Sequence, residues 1–282
     1  MSAALTPELP IESAPRWKSL NRWQAFAIHL ALSVLVFMTL VALMMFFWFP
    51  GDLFFIDGGW QGLKLVAIID LVLGPALTLI LWNPKKKSLV FDMIVVALFQ
   101  LAALAYGFVT TYDQRTVALV FSDRAFNSVA NADLVEGDAK LVKKEGTPVP
   151  LSSFDSGSPA MVVATPQTKD SFGQYLEDIM NDFPDAVTRS DQFMSLSEGY
   201  ESMREHILDE EYLISNGWKE QLEAAVPEHK LNADNIELYR FETRYASGVA
   251  LFDTEDMAII DYVPMETEAS PAEVTAESSI EN

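Results

Sequence analysis

The chain has 282 residues, half of them apolar, and carries 40 acidic against 19 basic side chains, a formal charge of −21. It contains no cysteine, which excludes disulfides, thiolate metal sites and cysteine nucleophiles. The acidity is one-sided: residues 1–110 hold 7 Lys/Arg and 6 Asp/Glu, whereas residues 111–282 hold 12 and 34. Such a C-terminal part lacks the cationic surface that nucleic-acid phosphates or an anionic leaflet demand.

Residues 1–22 form an N-terminal tail, Pro-, Ser- and Glu-bearing and expected to be disordered up to about residue 15. Three apolar runs follow, at 25–49, 63–82 and 89–110. Each meets the length of about 20 residues that a helix needs to cross the hydrocarbon layer. Residues 23–110 are therefore expected to be a three-helix transmembrane domain, with the lipid bilayer as its surroundings. The first run is too long for a signal-peptide core and lacks an Ala-x-Ala site, so it reads as an uncleaved anchor. Arg16, Lys18 and Arg22 precede it, and Lys85, Lys86 and Lys87 follow the second run. By the positive-inside rule both places are cytoplasmic, which puts everything after the third helix outside. In a Gram-negative cell this is an inner-membrane, multi-pass protein with a periplasmic C-terminal domain. Trp17, Trp23, Trp48, Trp60, Trp82, Tyr106 and Tyr112 sit near run ends, where amphipathic rings favour the interface. Asn83-Pro84 ends the second run, so the second and third helices should form an antiparallel hairpin.

Residues 111–264 read as one mixed α/β domain. Thr116–Phe121 is a predicted strand, and Phe126–Ala130 can pair with it. Met161–Ala164 is another short strand. From Ser171 to Val226 the spacing is helical, with stripes at Phe172, Tyr175, Leu176, Ile179 and at Trp218, Leu222, Ala225. Strands return at Glu237–Tyr245, Val249–Asp253 and Ala258–Val263, and Ser247-Gly248 suggests a hairpin turn. Residues 265–282 form an acidic tail with few large apolar residues, expected to be disordered.

Polar residues within the apolar runs stand out, because a charge in hydrocarbon must face protein or water. Asp70 lies about seven residues into the second helix. Pro75 has no N–H and frees the carbonyl of Leu71, which predicts a kink there. Asp70, Gly74 and Thr78 recur every four residues and share one face. Together with Pro75 they make a small, polar stripe that either packs against the chain's own helices, with Gln100 or Tyr106 satisfying Asp70, or receives a partner's transmembrane helix. His29 and Asp92 lie at similar depth near the cytoplasmic side and could form a structural pair. Asp70 and Asp92 do not suggest an aspartyl dyad. They lie roughly 15 Å apart along the membrane normal, and a dyad needs carboxylates near contact.

Motifs for catalysis are absent: no Gly-x-Ser-x-Gly elbow, no P-loop, no dinucleotide fingerprint. His206, Asp209 and Glu210 could hold a cation only in principle, since acids scattered on a helix usually form a solvated face, and His229 has no evident partner. The expectation is a protein with no catalytic, cofactor or metal residues.

Arg22-Trp-Gln-Ala-Phe-Ala-Ile-His-Leu30, Trp48-Phe-Pro-Gly-Asp52 and Gly58-Gly-Trp60 precede Asp70-Leu-Val-Leu-Gly-Pro-Ala-Leu-Thr-Leu79. Asn83-Pro-Lys-Lys86, Phe91-Asp92, Gln100-Leu-Ala-Ala-Leu-Ala-Tyr-Gly107 and Arg115-Thr-Val-Ala-Leu-Val-Phe121 follow. In this order and spacing, residues 17–126 resemble the TfpX/TfpZ family of type IV pilin accessory proteins. The resemblance implies a non-enzymatic, chaperone-like helper with the type IV major pilin as its partner. The stripe of Asp70, Gly74 and Thr78 would meet the pilin's helix and the outer domain its head. A rival of another class is a membrane-anchored periplasmic sensor, weakened by the lack of a cytoplasmic output domain. A second is an envelope enzyme with an unrecognised site.

Overall fold

A computed structural model describes residues 19–154, 157–166 and 172–266. Most of the N-terminal tail and of the acidic C-terminal tail lies outside the described residues. Three helices are long and apolar enough to cross a membrane: Arg22–Trp48, Gly59–Leu81 and Leu89–Asp113, here called helices one, two and three. They match the three predicted runs, with helix two starting four residues earlier and helix three ending three residues later.

The chain divides into two compact units. One comprises the chain to Ala42 with Leu63–Phe108, the other Leu43–Gly62 with the chain from Val109 onward. The segment linking helices one and two therefore groups with the sheet domain. In the helical unit, Gly107 faces Val66 while Gly74 faces Gln100, so helices two and three run antiparallel as the hairpin expectation requires. Their turn is held by Lys86 N–H on Asn83 O and by Lys85 N–H on the Asn83 side chain. Trp82 Nε1 donates to Leu20 O at 3.0 Å and ties the start of helix one to the end of helix two.

The second unit holds a seven-stranded sheet. Its strands are β1 (Thr116–Ser122), β2 (Ala125–Ala130), β3 (Ala160–Ala164), β4 (Phe193–Ser195), β5 (Ile236–Glu242), β6 (Ser247–Asp253) and β7 (Ala258–Pro264). The spatial order is β4-β3-β1-β2-β5-β6-β7. The β1–β3 and β2–β5 pairs are parallel and the other four antiparallel. Central strands β1 and β6 are buried along most of their length, which is why they read as continuous apolar runs.

Register assigns the two faces. One carries Ala118, Val120, Val162, Val249 and Leu251, packed against Leu134, Ala186, Trp218 and Leu222. The other carries Phe121, Phe126, Tyr239 and Phe252, whose ring centroids lie 5.1–6.0 Å apart. There the Leu196–Arg204 helix covers the sheet, with Gly199 close against Val163. Burial first, and then the hydrogen bond to Glu237, push the Tyr239 hydroxyl far above its ordinary pKa.

Three sequence expectations need correction. Ser247 and Gly248 are not a turn: Ser247 pairs with Glu242, and the reversal is Thr243–Ala246, closed by Thr243 N–H on Ala246 O. Gly248 is there because β7 backbone at Val263–Met265 leaves no room for a Cβ. The stretch 171–226 is not wholly helical, since β4 interrupts it. Three residues are too short to print an alternation. In the second stripe Ala225 is exposed and Val226 takes its place in the core. The Asn131–Lys143 helix, which the pattern did not reveal, carries Gly137 at its centre, a residue unfavourable to helices. Here Thr188 backbone leaves Gly137 no space for a side chain.

Candidate functional site

Helix two reaches its polar stripe through an irregular turn. With no N–H at Pro75, residues Ile68–Leu73 wind as a π-helix, Gly74 N–H bonds Ile69 O five residues back, and α-geometry resumes at Gly74–Leu81. The break predicted at Pro75 is thus a widened turn on its N-terminal side. Asp70, Gly74, Pro75 and Thr78 are all buried. Gln100 Nε2 donates to Asp70 Oδ1 at 3.4 Å, and a Cβ on Gly74 would collide with the same amide. Thr78 Oγ1 lies 2.5 Å from His29 Nδ1. The stripe therefore faces helices one and three of its own chain. Tyr106, at 69% exposure, takes no part.

His29 and Asp92 are not paired, contrary to expectation. His29 is taken by Thr78, and Asp92 Oδ2 accepts from Lys86 Nζ at 2.5 Å. A lysine six residues away in the basic turn reaches Asp92 while keeping its head near water.

Sequence reasoning missed Asp57, in the loop between helices one and two. Asp57 is fully buried. Its Oδ2 accepts a short hydrogen bond from Thr116 Oγ1, and its Oδ1 accepts from Ser128 Oγ at 2.9 Å and Arg244 N–H at 3.0 Å. Next to it, Ile56 O accepts from Thr243 Oγ1 at 2.6 Å and from Tyr245 N–H at 3.3 Å. Arg244 Nη2 reaches Gln114 O. One carboxylate thus joins the loop after helix one to β1, β2 and the β5–β6 turn. The usable signal was Asp57-Gly58-Gly59: Gly58 has φ +107°, a conformation an L-residue avoids, against the Tyr245 ring.

A concavity of the sheet domain lies at the carboxyl ends of parallel strands β1 and β3. It encloses about 370 Å³ and is lined by Phe121, Ser122, Asp123, Arg124, Val163, Ala164, Thr165, Pro166, Tyr175, Asp185, Ala186, Ser202 and His206. Carboxyl ends of parallel strands are where open α/β sheets bind ligands. The two-residue turn Asp123-Arg124 joins β1 to β2 with φ values of 49° and 70°, the left-handed geometry of a type I′ turn that normally selects Asn-Gly. His206 stacks on Phe121 with centroids 6.2 Å apart. Burial raises the Tyr175 hydroxyl pKa, and the charges of Asp185 and Asp123 raise it further.

His206, Asp209 and Glu210 do not converge. Asp209 caps its helix through Tyr212 N–H, and Glu210 pairs with Lys219. Among the described residues no group of three or more His, Asp or Glu could hold a metal.

Comparison with known proteins gives three relatives from Dichelobacter nodosus. Fimbrial assembly proteins of serogroup E1, of serogroups C1 and C2, and of serogroup I are each 34% identical to this chain over 110 residues, 38% of its length. The match spans 84% of the serogroups C1 and C2 protein. The chain belongs to the fimbrial assembly protein family. It spans less than half of the serogroup E1 and I relatives, 43% of each. No family model and no solved structure matches it. Most of the chain's 282 residues lie outside the matched stretch.

Proposed function

We propose that this protein is a non-enzymatic accessory factor of type IV pilus biogenesis, multi-pass in the bacterial inner membrane, with its sheet domain in the periplasm. The observation that carries the reading is the 34% identity to proteins named for fimbrial assembly, 84% of one of them being covered. The three membrane-length helices and the basic turn at Lys85–Lys87 support the topology. The partner is the major pilin while it waits in the bilayer with its head outside. Because the Asp70 stripe is used within the chain, the pilin helix meets outward apolar surface, for which Ile68, Val72 and Ile80 of helix two are exposed by 62–73%. Binding only the membrane-embedded pilin stabilises that state by mass action, about 2.7 kcal/mol at a hundredfold excess over Kd. The role is chaperone-like in that sense.

The test is in-cell photocrosslinking from positions 68, 72 and 80 and from the sheet domain, with pilin and surface pili quantified in a deletion strain. Pilin adducts from both regions, with reduced pilin or pili on deletion, are expected. No adducts and unchanged pili would overturn the proposal.

A further inference from the structure

We propose that the cleft at the carboxyl ends of β1 and β3 binds the cationic side chain, lysine or arginine, of a partner polypeptide. Its shape comes first. A volume near 370 Å³ with a floor of Phe121, Val163 and Ala164 accepts an alkyl chain. The Phe121 and His206 rings, stacked on each other, and the Tyr175 ring all line the cleft. Rings of this kind attract an ammonium or guanidinium through their quadrupoles.

Charge decides the ligand. Asp123 and Asp185 line the same mouth, and their charges add to burial in raising the Tyr175 hydroxyl pKa. Asp185 spends one oxygen on Val187 N–H. Among the described residues Asp123 and Arg124 make no hydrogen bond or ion pair, and the His206 ring makes a stacking contact with Phe121. Among the described lining residues two carboxylates stand against one cation, Arg124, so an incoming cation is favoured over an anion. A backbone carbonyl beside the bound side chain can accept from Arg124. The Asp123-Arg124 turn holds two side-chain-bearing residues where glycine would relieve strain. Retained strain at the mouth of a cavity is what a positioned rim needs.

The inference rests on the proposed function only in naming pilin as the source of the side chain, so two measurements separate them. The first uses the full chain in nanodiscs with ¹³C-histidine labelling. Nα-acetyl-lysine methylamide is titrated against its uncharged norleucine counterpart and against putrescine, a free polyamine. A saturable shift of the His206 resonance with the lysine probe, absent with norleucine and no tighter with putrescine, is expected. Asp123→Asn and Asp185→Asn should each weaken it about two- to fivefold, the range of partly exposed ion pairs, while Arg124→Gln tightens it. Asn at 185 retains the Val187 cap, so folding is preserved. No shift, an equal response to norleucine, tighter putrescine binding, or indifference to both Asn variants would overturn the inference. The second measurement repeats pilin crosslinking with Asp123→Asn/Asp185→Asn. Capture that falls supports the inference. Capture equal to wild type refutes it while leaving the pilin role intact. Lysine binding without any pilin capture keeps the cleft and discards the pilin reading.

Discussion

Asp57→Ala should loosen the junction of four segments while leaving the membrane helices in place. The carboxylate has no exposure and receives three hydrogen bonds, from Thr116, Ser128 and Arg244 N–H. Removing it strands three donors, each worth about 1–3 kcal/mol when left unsatisfied. Sharing and water entry make the sum less than additive, so about 3–5 kcal/mol is expected. Asp57→Asn keeps an oxygen for Ser128 and Arg244 and turns an amide toward Thr116, whose hydroxyl can rotate to accept it. About 1–2 kcal/mol is expected there. The assay is amide hydrogen exchange on the full chain in nanodiscs, read at β1, β2 and the Thr243–Ala246 turn. At about 1.4 kcal/mol per tenfold change, Asp57→Ala should speed exchange at these segments by about two to three and a half orders of magnitude and Asp57→Asn by roughly tenfold. Exchange in Asp57→Ala within threefold of wild type would show that the carboxylate does not hold the junction.

Arg124→Gly should stabilise the sheet domain by roughly 0.5–1 kcal/mol, the relief of a left-handed non-glycine residue less the extra entropy of glycine. Thermal unfolding checks it, and a lowered Tm would show that the turn is unstrained. Gly74→Val should disrupt the helical unit, because a Cβ there meets the Gln100 amide. Gln100→Ala should partly rescue it in a double-mutant cycle of detergent stability, and strictly additive losses would argue against that contact. Asp191 links acid stability to a defined group. Burial opposes its ionisation, but the Arg189 guanidinium, bonded to both its oxygens at 2.9 Å, outweighs burial and holds its pKa below the ordinary value. The folded value thus lies below the unfolded one, near 3.9. Its contribution is present above that pH and lost as pH falls through the folded value. Asp191→Asn should flatten acid unfolding between about pH 5 and 2, and an unchanged profile would show that the pair does not set it.

The sequence by itself determined what depends on local composition. Three uninterrupted apolar runs locate three membrane-length helices, because hydrocarbon thickness sets a length that residues either fill or do not. Six of the seven strands were legible, all but β4, since β-branched and apolar residues crowd short runs between polar turns. The break at Pro75 followed from a missing N–H. Tertiary structure decided everything that depends on partners distant in the chain. Asp70 and Thr78 are spaced the same way whether they face a partner or their own chain, and only the placement of Gln100 and His29 shows which. The His29–Asp92 pair failed because depth was readable and rotation about the helix axes was not. Asp57 was one acid among 40 until folding brought Thr116, Ser128 and Arg244 around it from up to 187 positions away. The cleft likewise exists only because β1 and β3 lie side by side and parallel, which no local pattern encodes.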